Sequence, residues 1–273
     1  MNEVSNSHKI QFAHANGFPS RTYTKLFSYL ENDFEINYLE RHAHNPKFPV
    51  TDNWELLKDE LRKEIESRYT QPIIGIGHSF GGILHYLLAA EKPELYSQII
   101  LLDSPIISRI SSFALQIGKK IKLIDRFLPA KITKFRRNLW KTREEAFEHF
   151  NAKAKFAAFD KDVLRDYIEH GTVETERGFE LFFKPNIEAQ IYRTVPHTLP
   201  KLRRNITVHT TYIGGTNSRE GKFAGVNSMK RIKNLRFKTI EGSHLFPFEK
   251  PFETAEIIKR IIHHRDAETQ RKT

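Results

Sequence analysis

The sequence predicts an α/β fold: a mostly parallel sheet of about six strands, flanked by helices and interrupted by one helical insertion. Three observations predict it. Short apolar runs alternate with helix-periodic segments through the first hundred residues, as in a parallel sheet covered on both faces. The alternation stops near Ile106 and resumes after Thr198. A Gly-x-Ser-x-Gly turn lies between a predicted strand and a predicted helix.

Ile10 to Ala13 is the first apolar run, closed by the turn signal Asn16-Gly17-Phe18-Pro19. Ser20 is placed to cap a helix whose apolar positions include Tyr23, Leu26, Phe27 and Leu30. Phe34 to Leu39 alternates at period two and reads as a strand. Pro46 and Pro49 mark a loop. Thr51 and Asp52 then precede a helix from about Trp54 to Tyr69, with Leu57, Leu61 and Ile65 on one face. Ile73 to Ile76 is a strand, Gly81 to Ala90 a buried helix, and Gln98 to Leu102 another strand.

From about Ile106 to Thr198 the pattern is mostly helical, with no clear strand. Phe113, Ile117, Ile121, Ile124 and Leu128 share a helical face; Glu144 to Phe159 reads as a second helix and Val163 to Ile168 as part of a third. Thr207 to Ile213 is a β-branched strand, Gly221 to Met229 a helix and Leu235 to Ile240 a strand. The last helix runs from about Phe252 to His263, and the charged tail from Arg265 is expected to fray. The expected division is a core of residues 1–105 and 199–273, with residues 106–198 as the helical insertion.

Composition narrows the function classes. Apolar residues make up 39% and charged residues 28%, the balance of a globular chain. There is no cysteine, which excludes disulfides, thiolate metal sites and thiol catalysis. Met1 to Ser7 has no apolar run, and nowhere do about 18 consecutive apolar residues occur, so neither a signal peptide nor membrane insertion is expected. A cytoplasmic protein is the default expectation. The net charge of +11 either attracts anionic partners or serves solubility. No nucleic-acid motif accompanies it, so no nucleic-acid partner is expected.

The residues that carry chemistry centre on Gly77-His78-Ser79-Phe80-Gly81-Gly82. In a strand-turn-helix context this pattern forces a sharp turn that exposes the serine hydroxyl, and the helix N-terminus favours developing negative charge. Ser79 is the candidate nucleophile. A serine needs a base, and His244 follows the last strand in a loop at the same sheet edge. The base needs a carboxylate to hold its tautomer. Asp103 ends the strand after the nucleophile helix, and the order Ser79, Asp103, His244 suits the fold. Glu220 is the alternative acid, because the loop after Ile213 has no aspartate. The oxyanion donors are expected to be the backbone amides of Phe80 and Phe18. Asn16, Gly17 and His78 are the candidate substrate contacts.

On these residues the chain resembles the α/β-hydrolase superfamily, in its esterase, lactonase and dehalogenase-like branch. Phe12 to Pro19, Gly77 to Gly82 and Gly242 to Pro251 carry the resemblance, which spans nearly the whole chain. It implies a helical cap over the site, matching the insertion. Little chain precedes Ile10, so the antiparallel pair that opens the family's eight-stranded sheet is expected to be absent. The usual acid position after the penultimate strand holds Asn217 and Ser218, and Asp103 matches an alternative position in the family. Serine at position 79, where related dehalogenases carry aspartate, implies acyl transfer from a small-molecule ester, thioester or lactone, without metal or organic cofactor.

Lys119 to Arg143 holds ten basic residues: Lys119, Lys120, Lys122, Arg126, Lys131, Lys134, Arg136, Arg137, Lys141 and Arg143, with only Asp125 as an acid before Arg143. Three readings stand. The cluster draws in an anionic substrate, it touches an anionic membrane face beside Phe113, Ile117 and Ile121, or it is a solvated face whose apolar stripe packs on the core. At the level of function the alternative is a weak or inactive hydrolase scaffold acting as a binding or regulatory protein, suggested by the missing aspartate near Asn217.

Overall fold

A computed structural model describes residues 8–121, 128–224, 229 and 232–270. Strands β1 (Lys9–Ala13), β2 (Glu35–Tyr38), β3 (Ile73–His78) and β4 (Tyr96–Leu102) come first in the chain. Strands β8 (His209–Gly215) and β9 (Leu235–Ile240) come late, and the six form one sheet in the order β2-β1-β3-β4-β8-β9. Every pairing in it is parallel. A parallel sheet buried on both faces needs near-continuous apolar strands, and β3 and β4 supply them.

The helices meet the expected faces. Leu57, Leu61 and Ile65 of helix Glu55–Arg68 are fully buried. Helix Phe80–Glu91 is apolar all round and buried along nearly its whole length, sandwiched against β1, β3 and β4. Ser20 departs from its expected capping role. Its hydroxyl donates to the Leu39 carbonyl at 2.6 Å and ties the turn after β1 to the end of β2. The last helix, Pro251–Gln270, runs past the point where fraying was expected, and no glycine or proline follows His263 to stop it.

The segment between β4 and β8, read as mostly helical with no clear strand, is largely helical but also holds three short strands among its described residues. Strands β5 (Leu139–Trp140), β6 (Thr172–Thr175) and β7 (Gly178–Leu181) form a small antiparallel sheet in the order β5-β7-β6. Helix Lys161–Gly171 runs straight into β6, whose Thr172 hydroxyl bonds back to the Ile168 carbonyl at 2.6 Å. That continuity conceals a β-branched strand behind a helical pattern. The helix expected from Glu144 to Phe159 is two, Arg143–Asn151 and Ala154–Ala157. The bend lets Phe150, Phe156 and Phe159 enter one core, with centroids 4.8 and 5.0 Å apart. Phe159 stacks on Phe248 at 5.1 Å, so the insertion and the sheet share a hydrophobic core.

The apolar stripe on helix Arg109–Lys120 does not pack on the sheet: Phe113, Ile117 and Ile121 are exposed. Ile124, with Lys122, Asp125 and Arg126, lies outside the described residues, as does part of the helix expected from Gly221 to Met229.

Two features of the core set conditions on the fold. A β-carbon at Gly81 would run into the Ala13 carbonyl, and one at Gly77 into the Gly81–Gly82 backbone. The turn after β3 therefore packs against the end of β1 with no room for a side chain. The core also encloses His14, His78 and His85 without solvent contact. Burial holds His78 and His85 down to about 3, aided at His78 by His244 and at His85 by His42. Burial, with His42 beside it, also pushes His14 well down.

Two outcomes follow. Gly81→Ala destabilises the fold by about 1–3 kcal/mol or more, read by urea denaturation; a neutral result would mean the two turns do not touch. The second concerns pH. The unfolded histidines titrate near 6.5 and the folded ones below it, so the unfolded state binds more protons between those values. Stability therefore falls as pH drops from about 6.5 toward about 3. His85→Gln should lessen the slope by up to about 1.4 kcal/mol per pH unit near pH 5. An unchanged slope would place a charged His85 in the folded state.

Candidate active site

In a parallel sheet the residues after each strand gather at one edge, where ligands bind. Here the ends of β1, β3, β4 and β9 bring Asn16, Ser79, Asp103 and His244 to that edge. Ser79 occupies the turn with φ 52° and ψ −111°, a strained conformation for a residue with a side chain. Its N–H donates to the Leu102 carbonyl at 2.9 Å, which continues the β3–β4 ladder and holds the turn. The hydroxyl then reaches His244 Nε2 at 2.9 Å.

His244 Nδ1 lies 2.8 Å from Asp103 Oδ2. Because a carboxylate only accepts, Nδ1 carries the hydrogen and Nε2 is free to accept from Ser79. Asp103 is fully buried, with φ 40°, and its N–H donates to the Ile213 carbonyl at 2.8 Å. Its other oxygen accepts from the Tyr212 hydroxyl at 2.6 Å. Burial and the Asp103 charge push the Tyr212 phenol well up, so it remains a donor. Tyr212 was not singled out from the sequence. The signal was available in the register: Leu101 pairs with Tyr212, and Asp103 lies two residues beyond Leu101 on the same face.

Glu220 lines the cavity but is not the partner of His244, whose two ring nitrogens face Asp103 and Ser79. Asn217 and Ser218 serve the backbone instead. Asn217 N–H donates to the Gly242 carbonyl, and the Ser218 hydroxyl caps helix Arg219–Ala224 through the Gly221 N–H. The inactive-scaffold alternative rested on the missing aspartate near Asn217; Asp103, from another strand end, places a carboxylate 2.8 Å from His244 Nδ1.

The two amides expected to stabilise an oxyanion differ. Phe80 is the first residue of its helix, so its N–H has no intrahelical acceptor, and the residue lines the cavity. The Phe18 N–H is already donated to the Ala15 carbonyl at 3.0 Å, and it can serve an oxyanion only as a shared donor. Asn16 lines the cavity and donates through Nδ2 to the Glu188 carbonyl at 3.1 Å. Gly17 does not line the cavity; its α-carbon faces the Glu188 carboxylate.

His78 is also not a cavity residue. It is fully buried behind Ser79, and its Nε2 lies 2.8 Å from the His244 carbonyl. A carbonyl accepts, so Nε2 is protonated and Nδ1 accepts from Tyr23, 2.7 Å away. The Tyr23 oxygen in turn accepts from the Ala15 N–H at 3.1 Å. This chain ties the loop of His244 to the turn after β1, with His78 beside Ser79. Nothing in the residue pattern signals this chain, since Tyr23 reads as one more apolar helix position.

A second unpredicted feature lies under Gly17. Glu188 of helix Pro185–Arg193 pairs with Arg136 at 2.6 Å. Burial pushes its carboxyl up to about 7, against the pull of Arg136 and Lys155.

Over Ser79 and His244 lies a cavity of about 630 Å³. Phe18, Phe80, Ile83, Ile107 and Val195 give it apolar walls, and Lys155 and Glu220 are the charged groups, histidine aside, among its described lining residues. Among the described residues no cluster of three or more His, Asp or Glu side chains is arranged to hold a metal.

Comparison with known proteins agrees with this architecture. The model of the alpha/beta hydrolase family matches residues 12–257. The abhydrolase domain-containing protein AKT2 of Alternaria alternata is 31% identical over 218 residues, covering 70% of this chain and 74% of that protein. Among solved structures, E-2-(acetamidomethylene)succinate hydrolase superposes with a TM-score of 0.76 at 18% identity, covering 94% of this chain and 91% of that one. The thioesterase domain from the curacin biosynthetic pathway gives 0.72 at 13% identity, covering 93% and 92%. At such identities the structural matches speak for the fold alone, whereas the family match covers most of the sequence: the chain belongs to the alpha/beta hydrolase family.

Proposed function

We propose that the protein is a serine hydrolase that cleaves a carboxylic ester, thioester or lactone through an acyl-enzyme on Ser79. The observation that carries this reading is the unbroken line from Asp103 through His244 to Ser79, at 2.8 and 2.9 Å, beneath an apolar cavity. Residues 106–198 act as the cap in this reading, since Ile107, Ser111, Leu115 and Tyr192 from that segment line the cavity together with Ser79 and His244. Apolar walls favour an apolar acyl group.

In the reaction Ser79 Oγ attacks the carbonyl carbon and His244 Nε2 takes its proton. Asp103 stabilises the imidazolium without accepting that proton. The Phe80 N–H, with a share of the Phe18 N–H, meets the oxyanion. His244 then protonates the departing alcohol or thiol. Water, deprotonated by His244, attacks the acyl-enzyme and frees the acid and Ser79. No bound cofactor enters any of these steps.

The test is hydrolysis of a series of p-nitrophenyl acyl esters and an acyl thioester. Wild type turns over the apolar esters, and Ser79→Ala falls to the solvent rate. Turnover retained by Ser79→Ala would assign the activity elsewhere. Asp103→Asn lowers kcat by about 10³–10⁴-fold, with KM little changed. Tyr212→Phe costs about tenfold, because Asp103 loses one of its two donors. Equal rates in wild type, Asp103→Asn and Tyr212→Phe would refute the assigned roles.

A further inference from the structure

Eight large apolar side chains stand exposed among the described residues, and six of them fall between Ile110 and Phe135. Ile110, Phe113, Ile117 and Ile121 recur along helix Arg109–Lys120 and its end, with Ile110 84% and Phe113 65% exposed. Ile132 and Phe135 stand out from helix Ala130–Lys134 and its end, Phe135 at 74%. An isolated exposed leucine or isoleucine is ordinary, but a concentrated apolar patch marks an interaction site.

The charges that the two segments of this patch themselves carry have one sign. Residues 109–121 and 128–137 contain seven basic residues and no acid. Lys119, Arg136 and Arg137 are occupied by Asp52, Glu188 and Glu145. Arg109, Lys120, Lys131 and Lys134 are exposed beside the apolar residues. Apolar and cationic groups together on an amphipathic helix match the interfacial zone of an anionic bilayer: acyl chains below, headgroup phosphates and carboxylates above.

The patch is continuous with the cavity. The same helix turns Ser111, Ala114, Leu115 and Gly118 toward the cavity, and Leu128 and Pro129 complete that rim ahead of helix Ala130–Lys134. Ile110 belongs to both surfaces.

We infer that this face docks peripherally on an anionic lipid surface, with the cavity mouth turned toward the bilayer. The 12-residue helix lies in the interface, since no described helix is long and apolar enough to cross a membrane. Docking stands on the surface alone. Its further consequence, that the ester is drawn from the lipid phase, rests on the proposed serine hydrolase.

The experiment is co-sedimentation of the full chain with vesicles of phosphatidylcholine alone and with added phosphatidylserine, at low and high salt. Wild type sediments with the anionic vesicles at least tenfold better than with the neutral ones, and salt weakens the preference. Phe113→Ser with Phe135→Ser lowers binding to both by at least tenfold. Lys131→Glu with Lys134→Glu removes the anionic preference, at about fivefold or more per lysine. Hydrolysis of a short water-soluble ester stays unchanged in both double variants. No sedimentation of wild type with anionic vesicles overturns the inference. So does a concentration-dependent dimer that Phe113→Ser with Phe135→Ser dissolves, in protein that ignores vesicles, because the face is then a contact between copies. Vesicle binding without ester hydrolysis leaves docking standing and removes only the hydrolase reading.

Discussion

The carboxylate of Asp103 is the charge around which this molecule is arranged. An unpaired carboxylate in a protein interior is far too costly to keep ionised, so its partners must be in place whenever the fold is. Tyr212 supplies one from β8 and His244 the other from the loop after β9. Satisfying one buried charge thus fixes the mutual position of three strand ends. It also orients the imidazole, whose remaining nitrogen has Ser79 as its neighbour. Asp103 is thereby a structural tie, and its φ of 40° is held by the N–H bond to Ile213.

The opposite side of the site is held by neutral groups. Tyr23, His78 and the carbonyl of His244 form a buried chain that begins at the Ala15 N–H. His78 must stay uncharged to keep its acceptor nitrogen, and burial ensures that it does. His244 therefore sits between a charged tie through its side chain and a neutral tie through its backbone. The insertion adds a third restraint, because the Glu188 carbonyl accepts from Asn16 and the Glu188 carboxylate lies against Gly17. Movement of helix Pro185–Arg193 would reach the turn that carries Phe18.

Much of this was legible in the sequence because the determinants are local. The alternation of strands and helices gives a six-stranded parallel sheet, and the glycines around Ser79 announce a turn too tight for side chains. The juxtaposition of Asp103 and His244 could be proposed because both follow strands that end at one edge. Less was legible where the outcome depends on distant packing. Thr172 to Thr175 continues a helical pattern and becomes a strand only because Gly178 to Leu181 folds back on it. His78 flanks the nucleophile and so reads as a substrate contact, yet its environment is Tyr23 and the His244 carbonyl. The apolar stripe from Phe113 has the period of a core-facing helix, and only the three-dimensional arrangement shows that the neighbouring face takes the cavity.

The central claim is that Ser79 is activated by His244 and Asp103. Covalent labelling with a fluorophosphonate, followed by intact mass, tests it without knowledge of the natural substrate. The account predicts one adduct per chain on wild type, none on Ser79→Ala, and slow formation on Asp103→Asn. An adduct that persists on Ser79→Ala, or none on folded wild-type protein, would contradict it.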